Sequence, residues 1–472
     1  MPSGQVPAPG VPASSADPES VVTTRAVLAA IAGNFLEFFD FISYAYFASY
    51  IGKTFFPSTN PLTSLLLAFV TFGIGFLMRP IGAIVIGLYA DTKGRRPALV
   101  LTILLMAGGT FMVGIMPGYA DLGLLAPLLI VVARSMQGFS AGGEWGGASS
   151  FLVEYAPPGR RGFFGSLQAS SVNAGLLCGT LSGVILNATL TPDHVASWGW
   201  RIPFLVGGLI GPIGLYVRAK VAETPAFERA RLAARVRPVS MPRLLRSNAP
   251  RILTTFGITV CFTITAFTYQ VYLPTFLVRE LKFPLNDALL STSISLAISV
   301  VTIPLAGALS DLIGRKPLML GAAIGLGLSA YPLFWILLHY PAFGTAVAVQ
   351  IVAILLYSAY DGPFPAAFCE LFPTHVRVSG ISIGYNVALA IFGGFTPFVV
   401  TSLIAVTGMA IVPAFYLIAA SIVSSVVLLR TPESFRTGSF DEGPELDDPG
   451  TGFVIEASVL GDGLAVDRRD AG

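Results

Sequence analysis

Charge is what this 472-residue sequence has least of. Lys and Arg number 28 and Asp and Glu 26, together 11% of the chain. A soluble globular chain carries about 25% charged residues, so the composition argues against a soluble enzyme. Cysteine is scarce too. Cys178, Cys261 and Cys369 lie far apart inside apolar runs, which gives neither a disulfide framework nor a metal site. Histidine occurs three times (His194, His339, His375), at the ends of apolar runs or between them. No nucleotide fingerprint and no soluble domain stand out, so catalysis is not expected, and no cofactor is implied. A cleavable signal is also missing: residues 1–24 are rich in Pro, Ser and Ala without an apolar core. They are expected to form a disordered leader. Residues 431–472 are acidic, Gly-rich and without heptads, and are expected to be a disordered tail.

What is abundant is apolar. Hydrophobic residues make up 54% of the chain, with 34 Phe and 50 Gly, and the mean hydropathy is +0.75. Gly-rich helices suit a bilayer, where packing depends on close backbone approach. A window of about 20 apolar residues per crossing finds twelve candidate spans: 26–50, 63–89, 98–116, 125–153, 164–188, 200–220, 251–277, 288–310, 318–338, 344–367, 379–403 and 409–429. These runs are too long for membrane β-strands of about 9–11 residues. The expected fold is all-α, a polytopic membrane protein.

Lys and Arg set the orientation. With both termini on the cytoplasmic side, 22 of the 28 fall in cytoplasmic segments, and only Lys53, Arg201, Arg279 and Lys282 fall outside. Arg79 and Arg134 lie within spans. Both termini are therefore expected in the cytoplasm.

Two strings repeat. GLYADTKGRRP (87–97), between spans 2 and 3, returns as GALSDLIGRKP (307–317), between spans 8 and 9. EYAPPGRRGFFG (154–165), after span 4, returns as ELFPTHVRVSG (370–380), after span 10, with Glu154, Pro157 and Arg161 matched by Glu370, Pro373 and Arg377. The offset is six spans. The expected organisation is two six-helix pseudo-repeats, 25–220 and 251–430, joined by a basic cytoplasmic linker, 221–250. Such repeats are a way to build alternating access, with substrate between the halves.

The string Gly87-x-x-x-Asp91-x-x-Gly94-Arg95-Arg96 resembles the loop 2–3 signature of the major facilitator superfamily. Gly307-x-x-x-Asp311-x-x-Gly314-Arg315-Lys316 resembles its loop 8–9 copy, and RSMQG (134–138) the span 4 motif. The likeness covers about residues 25–430. GNFLEFFDF (33–41), RPIGA (79–83), GGEWGGA (142–148) and GWRIPF (199–204) are similar to the metabolite:proton symporter branch, within which the stretch from Gly33 looks most like the citrate and tricarballylate transporters. The resemblance implies the major facilitator fold. It also implies that Asp91 pairs across the half–half interface as a latch when the cytoplasmic side is closed. Asp91 and Asp311 sit where a helix C-terminal dipole disfavours an acid, so a helix N-terminus or an Arg should compensate. Gly87, Asp91, Gly94, Arg95, Gly307, Asp311, Gly314 and Arg315 are the gating candidates.

An ionisable group at bilayer depth is costly enough to be a functional candidate by default. Here these are Glu37 and Asp40 in span 1, Arg79 in span 2, Arg134 and Glu144 in span 4, and Asp361 in span 10. At 100° per residue, Asn34, Glu37, Asp40, Phe41 and Tyr44 form one polar-leaning stripe. Arg79 precedes Asp91 by 12 residues, about 18 Å along a helix, near mid-bilayer. Two readings stay open. The ions pair only with each other, or Arg79 or Arg134 binds substrate carboxylates while Glu37 or Asp40 takes the coupling proton. Glu144, between glycines, is a second proton site or a structural acid. Gln137 shares a face with Arg134. Gln168, Ser170 and Asn173 give span 5 a weaker polar patch. Tyr357 and Asp361 share a face of span 10, and Asn386 is polar in span 11. Tyr269 and Tyr272 are expected in an interfacial aromatic belt.

The candidate substrate residues are thus Asn34, Arg79, Arg134, Gln137, Asn173, Tyr357 and Asn386. The proton candidates are Glu37, Asp40, Glu144 and Asp361. The expected function is proton-coupled import of a small organic anion, citrate or a related tri- or dicarboxylate, across the inner membrane. A proline/betaine osmolyte symporter is the alternative. A drug-efflux antiporter is disfavoured because span 5 has Gly165, Gly175, Gly179 and Gly183 but no Pro. The expected partners are the organic anion, protons and the lipid bilayer, without nucleic acid, and the chain is expected to act as a monomer.

Overall fold

The computed structural model describes residues 18–93, 95–154, 156–157, 159–209, 241–372 and 377–433, with the side chains of 18–30, 32, 87–88, 90–99 and 241–245 outside that description. The described secondary structure is helical throughout. Span 1 is Pro18–Tyr46, followed by a short helix, Ala48–Phe55. Spans 2 and 3 are Pro61–Lys93 and Arg95–Ile115. Span 4 is split into Leu125–Ala141 and Glu144–Glu154, and span 5 is Arg161–Thr189. Span 6 is described over 202–209. Span 7 joins Met241–Ala266, a π-helical segment Phe267–Tyr272, and Leu273–Arg279. Spans 8 and 9 are Leu285–Ile313 and Arg315–His339. Span 10 is split into Phe343–Asp361 and Phe364–Leu371. Span 11 joins Arg377–Ala388, a π segment Leu389–Gly393, and Thr396–Thr407. Span 12 is Val412–Arg430.

Among the described residues, nine helices are long and apolar enough to cross a membrane. The exceptions in the expected twelve are spans 1, 3 and 6. The apolar helix of span 3 is described over Val100–Ile115, and span 6 continues past the described residues. Exposed Leu77, Ile115, Val301, Leu305 and Leu328 point outward, as suits side chains facing hydrocarbon.

Two boundaries differ from the sequence expectation. The described helix of span 1 already includes Pro18, inside the expected leader. The described helix of span 7 reaches back to Met241, inside the expected linker. The two breaks, at 142–143 in span 4 and 362–363 in span 10, lie 220 residues apart, the same offset as Asp91 and Asp311.

Glycine governs how closely the helices cross. A Cβ on Gly138 of span 4 would lie 1.6 Å from the Gly75 carbonyl oxygen of span 2. These backbones are in contact, which brings Arg79 and Arg134 to the same flank of span 1. Spans 5 and 8 share the most extensive contact between helices. There a Cβ on Gly162 would meet the Gly307 carbonyl oxygen at 2.4 Å.

Candidate functional site

Span 1 delivers its two acids to two arginines. Glu37 Oε1 lies 2.5 Å from an Arg79 guanidinium nitrogen, with both side chains buried. Asp40 Oδ2 accepts from Gln137 Nε2 at 2.6 Å and from Arg134 at 3.4 Å. Arg134 also donates to Gln137 Oε1 at 2.6 Å, and Gln137 donates to Thr110 of span 3 at 2.9 Å. The spacing explains the pairing: Glu37 and Asp40 are three residues apart on one face, and spans 2 and 4 lie side by side along it.

Both guanidinium groups rest on one ring. Arg79 lies 4.8 Å and Arg134 4.5 Å from the centre of Phe41. Phe76 takes Arg79 at 4.6 Å, and Tyr44 takes Arg134 at 4.4 Å. Desolvated contacts of this kind are worth about 2 kcal/mol each. They substitute in part for hydrogen bonds. Nε and one terminal nitrogen of each arginine have no hydrogen-bond partner among the described residues.

Beside this cluster lies a cavity of about 40 Å³, room for a few waters and a constricted form of any solute site. Phe38, Phe41, Phe72 and Phe76 wall it on the first-half side. Phe262, Phe267 and Leu389 wall it on the second-half side. Its polar lining is Gln168, Gln270, Tyr357, Asp361 and Tyr385, with the Trp145 indole. Arg79 and Arg134 are absent from the lining: the Phe41 ring, in the wall, carries them on itself.

The other sequence candidates divide. Tyr357 and Asp361 line the cavity together. Asn34 is buried one turn before Glu37. Asn173 accepts from Gln270 of span 7 at 3.1 Å and from Ser299 of span 8 at 3.0 Å, tying span 5 to the second half. Asn386 donates to the Gly142 carbonyl at 2.8 Å, at the break in span 4. Glu144 is half-buried at the start of the second part of span 4, outside the cavity lining. Tyr269 and Tyr272 depart from the expected belt: they are 4% and 1% exposed. The wider π turn re-aims that face inward, so Tyr269 packs on Phe334 and Tyr272 on Phe69.

Gln168 is the residue that sequence reasoning underrated. It is fully buried and lines the cavity, yet neither amide atom has a hydrogen-bond partner among the described residues. Its only sequence signal was a polar residue in an apolar span.

Contacts between the halves lie in the cavity wall and where span 8 meets the start of span 5. In the wall, Phe76 packs on Phe267 at 5.2 Å and the Tyr46 hydroxyl donates to the Gln270 carbonyl. At the start of span 5, Asp311 Oδ1 and Oδ2 accept from the backbone N–H groups of Gly162 and Phe163 at 2.8 and 2.9 Å. Asp311 thus sits on the N-terminus of span 5, with Arg315 at 2.7 Å. This is the compensation that an acid at a helix C-terminus needs. Arg315 also reaches Glu370 at 3.1 Å. Glu433, just past span 12, accepts from the Arg315 and Lys316 N–H groups at 3.0 and 2.9 Å. Gly314 holds φ +100° between spans 8 and 9, a conformation that favours glycine. In the matching loop, Gly94, the surroundings of Gly87 and the side chains of Asp91 and Arg95 lie outside the description.

The family model of the Major Facilitator Superfamily matches residues 30–383 and 255–454. The chain belongs to this superfamily. It is a multi-pass membrane transporter, and the relatives carry transporter names rather than enzyme names. A citrate-proton symporter of Klebsiella pneumoniae is 40% identical over 417 residues, 87% of this chain and 93% of that protein. A citrate-proton symporter of Salmonella typhi is 38% identical over 401 residues, 85% and 92% of the two chains. A Staphylococcus aureus (strain COL) protein named as a proline/betaine transporter is 36% identical over 409 residues, 86% and 87%. Among solved superfamily structures, a proton:xylose symporter bound to 6-bromo-6-deoxy-D-glucose superposes with a TM-score of 0.71 at 16% identity. The match covers 88% of this chain and 97% of that one. At that identity the likeness concerns the fold alone.

Proposed function

We propose that this protein imports a small organic anion together with protons, with citrate or a related tri- or dicarboxylate as substrate. One observation carries the anion reading. Two buried guanidinium groups, Arg79 and Arg134, flank the cavity wall with N–H donors that no acceptor among the described residues takes up. Such donors match carboxylate oxygens, bidentately where the plane is available. The two citrate-proton symporters among the relatives support the same substrate class.

The substrate site lies between the halves 25–220 and 251–430, which rock about it in alternating access. Phe41 moves with span 1, so widening the cavity uncovers the guanidinium edges. The end that carries Asp311 faces the cytoplasm, as the Lys and Arg distribution requires, and both termini lie there. The membrane is the inner membrane, and the working unit is one chain.

The osmolyte reading keeps one observation of its own. Trp145, Phe262, Tyr357 and Tyr385 line the cavity around Asp361, and aromatic faces beside an acid suit a quaternary ammonium group. Purified protein in proteoliposomes, given labelled citrate, betaine and proline under an imposed pH gradient, separates the two. Accumulation of citrate is the expected result. Accumulation of betaine with none of citrate would overturn the anion reading.

A further inference from the structure

Asp361 differs from every other buried acid described. Glu37 has Arg79, Asp40 has Arg134 and Glu370 has Arg315. Asp361, 2% exposed at the end of Phe343–Asp361, has no cation within ion-pair distance among the described residues. It faces the Tyr357 hydroxyl one turn earlier on its own span. From span 11, Tyr385 lines the same cavity and lies within electrostatic reach of both Asp361 and the Glu37–Arg79 pair. From span 7, Cys261 lies beside Tyr357. Span 8 contributes a hydroxyl nearby, Thr302 bonded to Ser358 at 2.7 Å. The surroundings are aromatic: Trp145 stacks on Tyr385 at 4.1 Å and Phe262 on Tyr357 at 5.8 Å.

A bare carboxylate in such a setting is costly. A second negative charge brought into the same cavity makes it costlier, because two close anions cannot both stay ionised without a cation between them. The span 1 acids escape this conflict, since each already has its arginine. We propose that Asp361 carries the symported proton. The idea rests on the anion reading and explains its coupling: solute and proton share the cavity because the anion is admitted only when Asp361 is neutral. One O–H bond forms on the Asp361 carboxylate, with the proton taken from water on the outer side. The same bond breaks when the cavity opens inward, and the proton leaves to water there. Tyr357 donates to the charged form and holds it until the next proton arrives.

The test uses the full-length protein in proteoliposomes with labelled citrate. Asp361→Asn keeps the shape and fixes the neutral state. It should exchange internal for external citrate at a rate near wild type. It should also lose pH-driven accumulation, which is about tenfold per coupled proton for one pH unit, together with citrate-dependent proton uptake read by a pH dye. Retained accumulation would overturn the assignment. So would loss of exchange in a variant that still binds citrate by thermal shift, because Asp361 would then be a solute ligand. Asp361→Glu covers the case in which the Asn variant does not fold. It keeps a carboxyl, moves it by one methylene, and should keep accumulation with a displaced pH profile; an unmoved profile counts against the proposal. Wild-type protein that accumulates no organic anion would instead defeat the anion reading, an outcome distinct from all of these.

Discussion

Glu154 and Arg377 form an ion pair with an N–O distance of 2.5 Å. They come from opposite copies of the repeated string that follows spans 4 and 10, so the repeat binds to itself across the two halves. Arg377 is buried and also donates to the carbonyls of Cys369 and Phe372 at 2.9 and 3.3 Å. It therefore holds the end of span 10 as well as Glu154. The matched acid, Glu370, goes to Arg315 instead. Sequence symmetry has become two different contacts, one across the halves and one within the second half.

Breaking the cross-half pair should loosen this end without unfolding it. Glu154 is 38% exposed, so its share of the pair is screened and worth about 1 kcal/mol or less. Cys369 reports the opening, because its sulfur is buried 4.0 Å from Ser150 of span 4 across the same interface. In a Cys178→Ser/Cys261→Ser background, Glu154→Gln should speed maleimide labelling of Cys369 by about two- to fivefold. An unchanged labelling rate would show that the pair does not hold this end closed.

Asp311 should matter more. It neutralises two N–H groups at the start of span 5 and meets Arg315 as well. Asparagine keeps one acceptor oxygen and loses the charge, a change worth about 1–2 kcal/mol in a partly buried helix-terminus geometry. Asp311→Asn should slow uptake by about fivefold or more at equal membrane abundance. Asp91→Asn should do the same if loop 2–3 works as its copy does. Wild-type rates in both variants would remove the latch role from the motif.

The fold was largely legible because its signals are long or repeated. Twenty-residue apolar runs and the paired loop strings each survive local noise. The polar stripe of span 1 was legible for the same reason: Glu37 and Asp40 are two charges on one helix face, and only arginines in the same half could answer them. Single residues were harder to read. Asn386 looks in sequence like a cavity amide, but the break at 142–143 leaves a carbonyl outside the helix ladder, and Asn386 donates to it. Tyr269 and Tyr272 looked interfacial because a π turn leaves no mark in the 3.6-residue period. The breaks at 142–143 and 362–363 were hidden inside runs that remain apolar throughout. Asp361 stood in the list of charges, but that no described cation pairs with it depends on what spans 7, 8 and 11 bring near it.

The span 1 pairs can be tested as pairs. Asp40→Asn leaves Arg134 buried with Gln137 and aromatic rings but no counter-charge, a loss of about 3–5 kcal/mol for an uncompensated buried ion. Its thermal midpoint and membrane abundance should fall clearly. The double variant Asp40→Asn/Arg134→Gln removes both charges and should recover most of that stability while remaining unable to accumulate substrate. A double variant no more stable than the single one would mean that Asp40 acts through Gln137, its 2.6 Å partner, rather than through the arginine.

Gln168 gives the cleanest separation of binding from folding. Its amide makes no hydrogen bond to the described protein, so Gln168→Ala removes no internal contact of that kind and leaves fewer buried polar atoms unsatisfied. The thermal midpoint of the substrate-free protein should hold or rise slightly. The substrate loses a donor aimed into the cavity, and a hydrogen bond to a charged group is worth about 1.5–3 kcal/mol. Apparent KM for the carboxylate should therefore rise by about tenfold or more, with the maximal rate changed much less. Gln168→Glu sharpens the argument. It is nearly isosteric, but it puts a second acid beside Asp361 in the same cavity, where like charge disfavours an anion. It should weaken binding further than alanine does at neutral pH and regain affinity as the medium is acidified. Equal KM values for wild type, Gln168→Ala and Gln168→Glu would place the substrate elsewhere in the cavity.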